Sequence, residues 1–213
     1  APSVAPDGHS IAAVDDQAEG WSGRLDAGAG DGARLDDGAD DFVFDPSPLP
    51  PGIGPGWTWQ AWSVPNMPWD ASRARTAVRG ERGWELDDLE PSSAIQQIRH
   101  LDDGRRMCVR DDTGWLNVWL GDEPLVAEPF EHAGPTWGTG QRSYAASPVA
   151  DRVAFTRNEA GFGRLCVADV ATRTVSDVAR GVHGQLGWVG DRLVALRSGA
   201  RTPTQVVAYD PVT

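Results

Sequence analysis

The sequence predicts an all-β chain, a β-propeller of about five four-stranded blades. Three observations predict it. Long amphipathic helical patterns are missing, the apolar residues fall in short β-rich runs broken by Gly, Pro and Asp, and a turn-plus-strand unit recurs at blade length.

The runs can be taken in chain order. Candidate strands are 10–14 (Ser-Ile-Ala-Ala-Val), 106–109 (Arg-Met-Cys-Val), 115–119 (Trp-Leu-Asn-Val-Trp), 152–155 (Arg-Val-Ala-Phe), 165–168 (Leu-Cys-Val-Ala), 193–196 (Leu-Val-Ala-Leu) and 205–209 (Gln-Val-Val-Ala-Tyr). A turn carrying Asp or Gly precedes an aliphatic strand at Gly8, Gly104, Asp151 and Asp191, with gaps of 96, 47 and 40 residues. The first gap is two periods of 48, which predicts a weaker marker near residue 56, where Gly54-Pro55-Gly56 stands before a Trp-rich run. A unit of roughly 40–50 residues has the size of one propeller blade. The clearest unit starts at Arg152: a strand, the turn Asn158-Glu159-Ala160-Gly161, a second strand, then a turn at Ala171-Thr172-Arg173. Asp and Gly suit these turns because such positions need positive φ or a side chain that closes the turn locally. One such sheet cannot bury both faces, so blades must stack on one another. The expected division is a degenerate or partly disordered first blade over residues 1–46, then blades at approximately 47–95, 96–143, 144–183 and 184–213. Residues 71–83 are expected to lack an apolar strand.

Composition excludes several function classes. All 19 basic residues are Arg, against 31 acidic ones, and the net charge of −12 repels phosphate backbones. No nucleic-acid partner is expected. No apolar run is long enough to cross a bilayer, so no membrane partner is expected either. The N-terminal residues do not look like a signal peptide, and the expected location is cytoplasmic, with a signal upstream of Ala1 left open. Cys108 and Cys166 fall in strand-like runs without metal-ligand spacing and read as two buried thiols.

Several local motifs resemble one family. The run Pro65-Asn66-Met67-Pro68-Trp69-Asp70, preceded by Val64, is similar to the H-P-N-M-P-W-D signature of propellers in the prolyl oligopeptidase family of serine peptidases, in the acylaminoacyl-peptidase and dipeptidyl-peptidase-like branch. Asp103-Gly104 with Asp112-Thr113-Gly114-Trp115-Leu116-Asn117-Val118-Trp119 resembles that family's D-G…D-R-T-G-W-W-N-L-Y. Gly134-Pro135-Thr136-Trp137-Gly138 with Ser143-Tyr144-Ala145 resembles its P-x-W-x-x-G…S-Y-A, and Arg164-Leu165-Cys166-Val167-Ala168-Asp169 its R-L-x-V-x-D strand. The motifs keep the family's order over residues 57–213; Val64 stands where the family has His. The resemblance implies a seven- or eight-bladed ring, incomplete here, capping a C-terminal α/β-hydrolase domain that carries the Ser-Asp-His triad. It also implies short peptides as substrates and that hydrolase domain as the propeller's partner. The chain is expected to stop shortly before that domain.

The residues themselves offer little chemistry. A nucleophile elbow needs G-x-S-x-G, and the nearest string, Gly20-Trp21-Ser22-Gly23-Arg24, breaks the pattern. No catalytic residue is assigned, and the chain alone is expected to be inactive. His9, His100, His132 and His183 read as solvated loop histidines. The cluster Asp31, Asp36, Asp37, Asp40 and Asp41 misses calcium-loop spacing and reads as a solvated, flexible acidic loop. No metal and no cofactor are expected. The ten tryptophans read chiefly as packing between blades. Trp69, Trp115, Glu131 and Trp137 are the substrate-binding candidates, with Glu128 beside Glu131 as a second carboxylate for a substrate amino terminus. The expected function is gating and positioning of peptides for the hydrolase. The alternatives are a stand-alone propeller serving as a protein-interaction scaffold and, less favoured, a sugar-active propeller, which would need paired axial carboxylates.

Overall fold

A computed structural model describes residues 3–4, 11–15, 22–26, 33–89 and 93–211. Among these residues there is no helix, and none therefore long and apolar enough to cross a membrane. The strands form five antiparallel sheets, each made of consecutive strands in chain order. The first contains β1 (Ser3–Val4), β2 (Ile11–Asp15), β3 (Ser22–Asp26) and β4 (Ala33–Arg34). The second contains β5 (Phe42–Pro48), β6 (Gly56–Trp62), β7 (Arg73–Gly80) and β8 (Gly83–Leu89). β9 (Ile95–His100), β10 (Arg106–Arg110), β11 (Asn117–Leu120) and β12 (Glu123–Pro124) make the third. The fourth has β13 (Tyr144–Ala146), β14 (Arg152–Glu159), β15 (Phe162–Asp169) and β16 (Val175–Arg180). β17 (Val182–Val189), β18 (Arg192–Gly199) and β19 (Thr202–Tyr209) complete a three-stranded fifth. Repeated four-stranded meanders of this kind are propeller blades.

The repeat markers have a structural meaning. Gly56, Gly104, Asp151 and Asp191 each open or just precede the second strand of a sheet, namely β6, β10, β14 and β18. Gly8 and His9 lie outside the described residues, as do Asp31 and most of residues 16–32. The predicted Asn158-Glu159-Ala160-Gly161 turn joins β14 to β15: Glu159 pairs Phe162, and the two residues between them have φ of 50° and 94°. Two positive φ values in a two-residue loop match the right-handed twist of the flanking strands. Asn158 Oδ1 closes the turn by accepting from Gly161 N at 2.7 Å.

The chain divides into two compact units, one of residues Ala1–Cys108 and Pro135–Gly140, the other of Val109–Gly134 and Gln141–Thr213. In the first, Leu35, Val43, Trp57, Trp59, Ala61 and Ala77 form a buried core against which Trp84 packs. In the second, Ala154, Leu165 and Val167 of the fourth sheet meet Leu186, Leu193 and Ala195 of the fifth. Trp57 and Trp59 are thus packing residues, as expected for large apolar rings. Both cysteines are buried free thiols, and burial pushes Cys166 up to about 12.

Three expectations are corrected. Residues 71–83 do contain a strand, β7, paired along its length with β6 and β8. It escaped notice because its buried positions include Arg75, only 3% exposed, beside the small Ala74 and Ala77. The acidic cluster is not simply a solvated loop. Asp37 and Asp40 hold the Arg75 guanidinium at 2.6 and 3.0 Å, Asp88 takes its Nε at 2.8 Å, and Asp40 also pairs Arg73 at 2.8 Å. A buried cation must be paired and hydrogen-bonded, and these carboxylates supply the partners. The Arg75 hydrogen bonds hold the Asp37 carboxyl far below its ordinary value. Third, the described histidines are not solvated: His132 is fully buried, His183 nearly so, and burial with nearby Arg106 pushes His100 down to about 4.

Candidate functional site

The loop between β6 and β7 carries the Pro65–Asp70 motif, and local hydrogen bonds explain its shape. Asp41 Oδ2 accepts from Val64 N at 2.9 Å, and Ser63 Oγ accepts from Asp41 N at 3.2 Å, so the loop entrance is tied to the start of β5. Asp70 closes the far end: its Oδ2 accepts from Met67 N at 3.0 Å, and its own N–H donates to the Met67 carbonyl at 2.9 Å. Asp70 thus brackets Met67 with both its side chain and its backbone, closing the turn from 67 to 70. Ser72 then anchors the loop exit. Its Oγ accepts from Ile95 N at 3.0 Å and lies 3.0 Å from the Pro68 carbonyl, which fixes the loop against β9.

So fastened, the loop presents Val64 and Met67 to solvent and holds Trp69 half-buried. The Trp69 ring meets Trp137 with centroids 4.7 Å apart and planes tilted by 46°. Trp137 is 73% exposed. A large apolar ring that open to water, supported from beneath by a second indole, is a surface on which an apolar or planar group can stack. On the side of the loop toward β7, a cleft of about 350 Å³ is lined by Asp40, Trp62, Ser63, Val64, Asn66 and Arg73. Trp62 is itself stacked on Phe42, with ring centroids 5.2 Å apart.

The other two candidates lie in the second unit, with Trp115 at 40% exposure. Glu131 Oε2 accepts from Leu116 N at 2.8 Å, so this carboxylate shapes the loop that displays Trp115. Glu128 is occupied more fully, with Oε1 on His132 Nε2 at 2.8 Å and Oε2 on Arg157 at 3.4 Å. Val118 N donates to His132 Nδ1 at 3.1 Å, which leaves Nε2 as the protonated nitrogen that donates to Glu128. No serine or cysteine is placed against this ring among these contacts, and His132 packs on Phe155 instead. The pair organises the loop from residue 116 to 132 and has no geometry for nucleophilic catalysis. Among the described residues no group of three or more His, Cys, Asp or Glu could hold a metal ion.

Sequence reasoning therefore brought Trp69 and Trp137 into one list, and the structure brings their rings together. It missed Asp41 and Ser72, whose roles depend on partners more than twenty residues along the chain. The only sequence signal for Ser72 is its place just after the Pro-containing loop, and Asp41 has none.

The chain matches no protein-family model and no curated protein sequence. Comparison with solved structures does find likenesses. A puromycin hydrolase is 27% identical with a TM-score of 0.78, and a puromycin-hydrolyzing peptidase of Mycobacterium tuberculosis is 25% identical with a TM-score of 0.82. Both likenesses cover 100% of this chain, and 36% and 35% of those chains. A prolyl endopeptidase structure agrees in fold, with a TM-score of 0.67 at 13% identity, again over 100% of this chain and 33% of its own. The chain thus spans about a third of the length of these structures. Over its whole described length, this chain shares its β-propeller fold with puromycin-hydrolyzing peptidases and with a prolyl endopeptidase.

Proposed function

We propose that this chain is the non-catalytic propeller portion of a prolyl-oligopeptidase-like serine peptidase, and that it gates and positions short peptide substrates for an α/β-hydrolase portion of the same protein. The likeness to puromycin hydrolase along the entire chain carries the reading. The Pro65–Asp70 motif supports placement in the acylaminoacyl-peptidase and dipeptidyl-peptidase-like branch. In this role a propeller works by exclusion and orientation: it restricts entry to small substrates and keeps bulk water from the reacting bond. The Trp69–Trp137 surface is the proposed contact for an apolar substrate side chain, with Trp115 and Glu131 as a second proposed contact. The substrate class is a short peptide or an aminoacyl amide; puromycin, the compound named for two of the similar structures, is such an amide.

The test has two parts. The 213-residue chain should neither hydrolyse a dipeptide or acyl-peptide chromogenic substrate nor be labelled by a serine-directed fluorophosphonate. Turnover abolished by that reagent would overturn the division of labour. The coding sequence downstream of Thr213 should continue into a strand followed by a G-x-S-x-G elbow. A stop codon there, together with a compact and stable product, would favour the interaction scaffold instead.

A further inference from the structure

A residue outside the motif reaches the segment that carries Trp137. Asp45 sits in the middle of β5 with φ of 51°, the left-handed conformation, where the pairing of β5 with β6 slips between Phe44 and Ser47. A bulge of this kind re-aims the side chain it carries. Asp is among the few residues that tolerate the left-handed region. The Asp45 carboxylate is only 11% exposed and uses both oxygens. Oδ2 accepts from Arg99 Nη2 at 2.8 Å, and Oδ1 accepts from the backbone N of Gly140 at 2.8 Å, 95 residues away. Gly140 closes the segment Pro135–Gly140, the one stretch after Cys108 that belongs to the first unit. That strap carries Trp137. Two contacts bear on it near Trp137: the ring of Trp69 under Trp137, and the Asp45 carboxylate three residues on.

We propose that Asp45 is a positioning residue for the substrate-facing aromatic pair, with the β5 bulge turning its carboxylate onto the strap and Arg99 fixing the carboxylate's direction. Its significance for substrate rests on the function proposed above; the positioning itself does not. Charge-assisted hydrogen bonds of this length are short and directional, so a strap held at Gly140 keeps Trp137 in one place despite its exposure. Without that bond the strap would lose its anchor on β5 next to Trp137, and the exposed indole would sample open positions.

Two variants of the intact chain test the proposal. Asp45→Gly removes the carboxylate while suiting the left-handed backbone, so the fold is spared the usual cost of a bulge substitution. The circular-dichroism couplet from the paired indoles, defined by the difference between the parent and Trp137→Phe, should fall to about half or less in Asp45→Gly. Asp45→Asn keeps the backbone conformation but offers one acceptor to two donors, so hydrogen exchange at the Gly140 amide should speed up about tenfold. An unchanged Gly140 exchange rate in Asp45→Asn overturns the proposal, whether or not the glycine variant folds. So does an unchanged couplet in a folded Asp45→Gly. Titrating the parent with puromycin or a dipeptide separates the two ideas. A couplet that depends on Asp45 while Trp137 fluorescence ignores both ligands supports the positioning and sinks the substrate surface.

Discussion

At the scale of single residues, Arg75 shows how this acidic chain uses its charge. Its guanidinium is buried among Asp37, Asp40 and Asp88, and Asp40 is itself only 5% exposed. Arg suits the place because a planar fork of donors can satisfy several carboxylates at once. Replacing it with Met would fill much of the volume but leave the Asp40 carboxylate in a dry site with only Arg73. Breaking a buried pair from one side costs about 3–5 kcal/mol. The Arg75→Met chain should therefore unfold at a clearly lower urea concentration than the parent at pH 7. The pH dependence has a definite sign. The folded-state pKa of Asp37 is depressed from 3.8, so its stabilisation is complete above that value and is lost as pH falls below it. The parent should lose stability below about pH 4, and the variant should lose less over the same range. Equal acid limbs would show that Asp37 does not draw its shift from Arg75.

At the scale of elements, the fourth and fifth sheets show how tightly successive meanders are joined. β15 begins at Phe162, and Gly163 accepts a hydrogen bond at its carbonyl from Gly181 N at 3.0 Å. A Cβ at Gly163 would stand 2.5 Å from the Gly181 carbonyl oxygen, which is backbone and cannot swing away. Gly163→Ala should force β15 from the link into β17 and destabilise the second unit by about 1–3 kcal/mol, the range for overpacked sites. Thermal melts followed by near-ultraviolet circular dichroism would register it. A melting temperature equal to the parent's would mean that the link yields without cost.

At the scale of the whole molecule, the fifth sheet has one face packed and one face bare. Leu193, Ala195, Val207 and Tyr209 turn toward the fourth sheet. On the other face Val182, Val189 and Val206 are exposed, with Val206 at 72%, and Leu196 pairs with Val206 across β18 and β19. Exposed apolar side chains on one sheet face favour association. The 213-residue chain should self-associate with concentration in sedimentation velocity, and Val206→Lys should shift it toward monomer. A parent that stays monomeric throughout and melts in one sharp transition would contradict this.

The sequence by itself determined the all-β class, the blade-length repeat, the turn at Ala160-Gly161 and the Pro-Asn-Met-Pro-Trp-Asp loop. Each of these depends on strand alternation, turn chemistry or short-range motif order, which neighbouring residues decide. It misplaced β7 and the acidic cluster for one shared reason: a buried Arg and its carboxylates look like a solvated surface until the fold joins residues 37, 40, 75 and 88. The candidate site divides in the same way. Trp69 and Trp137 were named from the sequence as substrate-binding candidates, but their contact was not legible there, nor was the hold of Asp45 on Gly140. Those contacts come from sheet packing and from a bulge in β5, which bring together segments that share no local pattern. Only the tertiary structure could decide them, because the energy of a ring contact or an ion pair depends on where the backbone sets its two ends.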